Sequence, residues 1–166
     1  MIILITGATH TGKTLLAQRL LEKYHYPYLS MDHVKMGLIR SGVLYVEPTD
    51  SDARLTAVLW PVFREIIKTA VENGQHLIVE GCYVPVDWEG DFDESYRSQI
   101  QLICLLLTDD YITAHCEEIV RFASVIENRG DDEGFDLSVL RAENWRYQKM
   151  FGGAPGAIIL KNHNWQ

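Results

Sequence analysis

GATHTGKT, residues Gly7 to Thr14, follows directly on the apolar opening MIILIT and fits the pattern G-x-x-x-x-G-K-[ST]. That pattern describes a turn that wraps phosphate between a strand and a helix. Gly7 and Gly12 let the backbone curl, so that successive N–H groups across Thr9, His10, Thr11, Gly12 and Lys13 face inward. The helix starting near Lys13 adds its N-terminal dipole, which favours anions. The Lys13 ammonium is expected at the β- and γ-phosphates, and the Thr14 hydroxyl on Mg²⁺. A glycine turn matching by chance is the competing reading. It is disfavoured by the preceding strand pattern, the following amphipathic pattern and the full eight-residue match.

Working outward, apolar strand-like runs alternate with helical patterns, which predicts an α/β fold on a mostly parallel sheet. The predicted strands are Ile2–Ile5, Tyr28–Ser30, His76–Glu80, Ile100–Leu107 and Ala157–Leu160. Their unbroken apolar character suits strands covered on both faces. Helices are expected over Thr14–Tyr24, Ser51–Asn73, Tyr111–Ala123 and Ser138–Met150. Asp50 or Ser51 is placed to cap the second, Gly74 to end it, and Pro61 to kink or interrupt it near Leu59–Trp60. The polar stretch Val125 to Asp136 reads as a mobile loop.

The 166 residues, 47% hydrophobic and 23% charged, predict one soluble domain spanning 1–166. The longest apolar runs, such as LICLLL, are too short to cross a bilayer, and the opening lacks a basic leader, so a cytoplasmic location is expected. A net charge of −8 leaves no broad basic face for nucleic acid. Cys82, Cys104 and Cys116 contain no C-x-x-C pair and read as reduced, mostly buried thiols.

Two acids are expected near Lys13. In an open parallel sheet, ligands sit beyond the carboxyl ends of the strands. Asp32 follows the second strand in LSMDHVK and is suited to take a proton from an attacking hydroxyl or to hold the metal's water. The plainer reading is that it caps a helix from His33; its place on the sheet rim favours the functional role. Glu80 closes the strand HLIVE and is placed to support Mg²⁺ or steer substrate, against the plainer reading of a solvated strand end. Arginine from a closing loop stabilises charge on a transferring phosphoryl group. Arg121 and Arg129, in a lid expected at about 121–137, are the leading candidates, with Arg141 and Arg146 on the helix beyond.

A guanine-reading N-K-x-D run is absent and the third strand lacks adjacent acids. Phosphoryl transfer to a small acceptor is therefore favoured over a GTPase switch or a motor-type ATPase. The chain resembles the nucleoside-monophosphate-kinase-like P-loop kinases, a group that includes adenylate, shikimate and gluconate kinases, chloramphenicol phosphotransferase and zeta toxins. The resemblance implies a three-layer α/β/α fold with five parallel strands in the order 2-3-1-4-5. It also implies transfer of the γ-phosphate of ATP, with Mg²⁺, to a hydroxyl or phosphate of a small-molecule acceptor; the charge and the short apolar runs leave nucleic-acid and membrane partners unexpected. MDHVK stands where adenylate kinases carry G-D-x-x-R, so Lys35 takes the place of the arginine that holds the acceptor. In the phosphotransferase and toxin branches, the acid matching Asp32 is the base. LIVEGCYVPVDW is similar to the I-E-G-x-H-x-x-P stretch of 2-phosphoglycerate kinase-like proteins, with Tyr83 in place of the histidine. The alternatives are a regulatory or toxin-type module that hydrolyses or senses ATP without a metabolite acceptor, and a loop that binds nucleotide for structure alone.

Overall fold

A computed structural model describes residues 1–122 and 136–160. The middle of the expected lid, with Arg129, and the tail 161–166 lie outside the described residues. Five parallel strands, β1 (Ile2–Gly7), β2 (Tyr28–Ser30), β3 (Leu77–Glu80), β4 (Ile100–Leu107) and β5 (Ala157–Leu160), form one sheet in the order β2-β3-β1-β4-β5. The order and direction are those expected.

Alternation within β1 explains why its run is wholly apolar. Ile2 and Leu4 enter a core with α3 (Asp52–Glu72), whereas Ile3 and Ile5 enter a second core with Leu16, Ala17 and Leu20 of α1 (Lys13–Tyr24). A strand with helices on both faces has no solvated side for polar residues. The α3 helix buries Leu55, Leu59, Trp60, Phe63, Ile67 and Ala70, a stripe at helical spacing. It runs unbroken through Pro61, so the expected interruption does not occur. Pro61 is exposed, and its missing N–H falls on the outer face of the helix. Ser51 caps α3 by accepting the Arg54 N–H.

The remaining helices are α2 (Met31–Arg40), α4 (Glu94–Arg97), α5 (Asp109–Ala114), α6 (Cys116–Phe122) and α7 (Leu137–Phe151). The single helix expected from Tyr111 is divided at His115, whose φ of −121° departs from helical geometry. Thr108 caps α5 through the Tyr111 N–H at 3.1 Å, and Asp136 caps α7 through the Ser138 N–H at 2.8 Å. The α2 helix starts immediately after β2, with Ser30 at the cap position. Asp32 therefore lies in the first turn, which corrects the reading of it as an N-cap. Among the described residues Cys82, Cys104 and Cys116 are free thiols, and no helix is long and apolar enough to cross a membrane.

Candidate active site

Strand register decides which residues meet. Ile5 of β1 and Ser30 of β2 both pair with Glu80 of β3, so these three strands end along one line. The β1–α1 turn, the β2–α2 junction and the end of β3 consequently open onto one cleft of about 350 Å³. Lys13, Thr14 and Thr9 line it from the phosphate loop, and Asp32 and Glu80 from the neighbouring strands.

Gly12, at φ +86°, turns the chain in the left-handed region immediately before α1, where a side chain would strain the backbone. Lys13 is 7% exposed, and its ammonium donates to the Ala8 carbonyl at 2.7 Å. The Thr11 hydroxyl donates to the same carbonyl at 2.8 Å. His10 holds φ +60°, with its Nδ1 3.0 Å from the Thr9 hydroxyl. The Thr9 N–H points to a carboxylate oxygen of Glu143 on α7, at 3.4 Å. A loop N–H facing an anionic oxygen is the interaction phosphate would make.

Opposite the loop, three side chains form one cluster. The Lys35 ammonium lies 2.7 Å from Asp32 Oδ1 and donates to the Tyr83 hydroxyl at 2.8 Å, while that hydroxyl lies 3.4 Å from the same Asp32 oxygen. Burial works against the charge on Lys35, but its bonds to Asp32 and Tyr83 outweigh burial and raise its pKa. Burial pushes the Tyr83 phenol up to about 12, against the pull of Lys35. Tyr83 is therefore a neutral hydroxyl near neutral pH. Gly81 makes the cluster possible. A Cβ there would lie 2.5 Å from the Met31 Cβ, so any side chain would push the start of α2, and Asp32 with it, out of place.

The α7 helix closes a third side. Asn144 accepts the Leu107 N–H at 3.1 Å and Gln148 donates to the Leu107 carbonyl at 2.8 Å, pinning α7 to the end of β4. Tyr147 then donates to the Cys82 carbonyl at 2.8 Å, and burial raises its pKa. Burial likewise raises the Cys82 thiol, whose sulfur lies 3.6 Å from the Gly7 carbonyl. Arg146 contacts Asp52 in the first turn of α3 and lies over the Tyr147 ring at 5.6 Å.

Of the residues expected at the site, Thr9, Lys13, Thr14, Asp32 and Glu80 line the cleft. Lys35 is buried behind Asp32 and Tyr83 rather than on the cleft wall. Arg121 is exposed on α6, away from the lining. Four lining groups were not expected at the site from sequence: Asp52, Cys82, Glu143 and Tyr147. Glu143 and Tyr147 are four apart beside the buried Leu140 and Asn144, so the edge of an α7 apolar stripe was the signal available.

Magnesium suits these donors. The Thr14 hydroxyl and the Glu80 and Asp32 carboxylates are hard oxygen ligands on one cleft. Among the described residues no three His, Cys, Asp or Glu side chains form a cage of their own, so phosphate oxygens would complete the shell.

No family model matches the chain, and no curated protein matches it. Solved structures do. A sugar kinase from Janibacter sp. HTCC2649 superposes with a TM-score of 0.57 at 10% identity, covering 96% of this chain and 83% of its own. Shikimate kinase from Aquifex aeolicus vf5 gives 0.54 at 13% identity, covering 98% and 89%. A protein from Chloroflexus aurantiacus j-10-fl gives 0.53 at 24% identity, covering 86% and 78%. At these identities the likeness is one of fold alone: a three-layer α/β/α P-loop fold on a parallel sheet in the order β2-β3-β1-β4-β5.

Proposed function

We propose that residues 1–166 act as one ATP- and Mg²⁺-dependent kinase domain that phosphorylates a hydroxyl of a small acceptor. The observation that carries this reading is the one cleft lined both by Asp32 of the β2–α2 junction and by Lys13 of the phosphate loop. The cleft has the volume of a small-molecule site.

On nucleotide binding, Lys13 exchanges the Ala8 carbonyl for phosphate oxygens, and the loop N–H groups follow. Mg²⁺, held through Thr14 and supported by Glu80, would neutralise developing charge on the phosphates. Asp32 takes the proton of the acceptor hydroxyl as its oxygen bonds to the γ-phosphorus. The bond from that phosphorus to the bridging oxygen breaks and ADP leaves. Lys35 and Tyr83 orient Asp32 for this task. Arg146, and Arg121 or Arg129 from the lid, are candidates for charge stabilisation during transfer.

The test is ADP release from ATP and Mg²⁺, with and without a panel of hydroxyl-bearing small molecules. Acceptor-dependent release supports the kinase. Acceptor-independent hydrolysis, or thermal stabilisation by ATP without turnover, would overturn it.

A further inference from the structure

Ser30 ends β2 and stands at the cap position of α2, where a serine oxygen ordinarily accepts an N–H of the first turn. Ser51, Thr108 and Asp136 do so on their own helices. The Ser30 side chain makes no such bond. It is 2% exposed, and its Oγ has no hydrogen-bond partner among the described residues. An unpaired buried hydroxyl is costly, so one in this position calls for a partner from outside the chain.

Strand register says where that partner sits. Leu29 packs into the core with α3, so Ser30, the next residue, leaves the sheet on the opposite face. Its register partner is Glu80, which is paired in turn with Ile5. Ile5 packs with Leu16, Ala17 and Leu20, so this row of three residues lies under α1. The first turn of α1 carries Thr14. Thr14 and Glu80 line the cleft, and Asp32 lines it two residues beyond Ser30. The unpaired hydroxyl therefore belongs to the same strand ends as the oxygen ligands that suit magnesium.

Resting on the metal site of the kinase reading, we propose that Ser30 is a further residue of that site and holds magnesium through one of its waters. Mg²⁺ gives up water reluctantly and keeps several molecules when bound to protein. A water of that shell donates to the Ser30 oxygen beside the Glu80 carboxylate, which fixes the shell against the end of β2. Ser30 takes no part in bond making. It is a positioning residue.

Ser30→Ala in the whole chain tests this, with Mn²⁺ as the spectroscopic probe. Electron paramagnetic resonance follows Mn²⁺ uptake by the protein–ADP complex. Calorimetry gives ADP affinity without metal, and urea unfolding gives metal-free stability. Mn²⁺ affinity should fall by about tenfold or more in the variant. ADP affinity without metal should hold, and the metal-free urea midpoint should stay or rise, because no hydrogen bond within the chain is removed. Unchanged Mn²⁺ affinity would overturn the inference while leaving the kinase intact, with a structural water as the partner of the hydroxyl. A lower metal-free midpoint would also overturn it, by assigning the hydroxyl to the fold. So would an equal loss of ADP affinity without metal. Wild-type protein that binds ADP but takes up no Mn²⁺ would remove the metal from the kinase reading, and this inference with it.

Discussion

The Lys35 ammonium sits 2.7 Å from the Asp32 carboxylate one turn earlier on the same helix, with 10% of the Lys35 side chain and 45% of the Asp32 side chain exposed. The pair is asymmetric: the cation is sealed behind Tyr83 and the anion opens to the cleft. Its contribution to stability is small because Asp32 keeps much of its hydration. Its proposed value is orientation, since a base must be aimed before it is useful. Lys35→Met should lower kcat about tenfold or more, with ATP affinity intact and stability within about 1 kcal/mol of wild type. Steady-state kinetics, calorimetry and urea unfolding read the three quantities. A wild-type kcat would discard the orienting role.

Lys13→Ala removes the loop ammonium while leaving the α1 packing of Leu16, Ala17 and Leu20 in place. Transition-state stabilisation should fall by about 3 kcal/mol or more, more than a hundredfold in kcat/KM. Turnover at the wild-type rate would take Lys13 out of the mechanism.

Asp32→Asn keeps the shape of the side chain and removes its basicity. Transfer to a hydroxyl should cease while ATP binding, followed by titration calorimetry, persists. Loss of ATP binding instead would assign Asp32 to the metal alone.

Gly81→Ala tests the close approach of β3 to α2. The new methyl would meet the Met31 Cβ at 2.5 Å, which belongs to the helix itself and cannot rotate away. Stability should drop by about 1–3 kcal/mol, as for an overpacked core site, and kcat should fall as Asp32 moves with the helix start. Urea unfolding at the wild-type midpoint would show that the junction yields freely.

Alkaline pH should weaken the fold through Tyr83 and Lys35. The Tyr83 phenol rises from an ordinary value near 10 to about 12 in the fold, and Lys35 is also raised. Both groups bind their protons more tightly folded than unfolded. Their stabilisation is therefore complete below about pH 10 and is lost as pH climbs through the folded values. For Tyr83 the loss amounts to about 2–3 kcal/mol. Unfolding free energies at pH 9 and pH 11.5, for wild type and Tyr83→Phe, check the assignment: the variant should lose less. An equal loss in both proteins would place the alkaline sensitivity elsewhere.

Much of this was legible in residue order because the signals are local. The glycine-lysine-threonine turn, the five apolar runs and the 3.6-residue stripe of α3 each depend on neighbours within a few positions, and the sheet order matches the resemblance drawn from them. The break at His115 was missed because the hydrophobic pattern continues across it, from Ile112 to Ile119. The interruption expected at Pro61 does not occur, because the packing of the α3 stripe, with Leu59, Trp60 and Phe63 buried around an exposed proline, holds the helix together. Asp52, Glu143 and Tyr147 were missed because their significance depends on where α3 and α7 cross the sheet edge. An apolar stripe shows which face of α7 is buried, but not which strand end that face meets.

What the order of residues determined by itself was a strand, a phosphate turn and a helix at the start, together with the succession of elements that forces a parallel sheet. Backbone torsions and burial of alternating side chains are enough for that. Only the folded chain decided that Lys35 would serve Asp32 instead of lining the cleft, and that Arg146 would be tied to Asp52. It also decided that a carboxylate from α7 would face the Thr9 N–H. These pairings join residues from 3 to 134 positions apart, and which charges meet is set by the register of β1, β2 and β3 and the docking of α7 on β4.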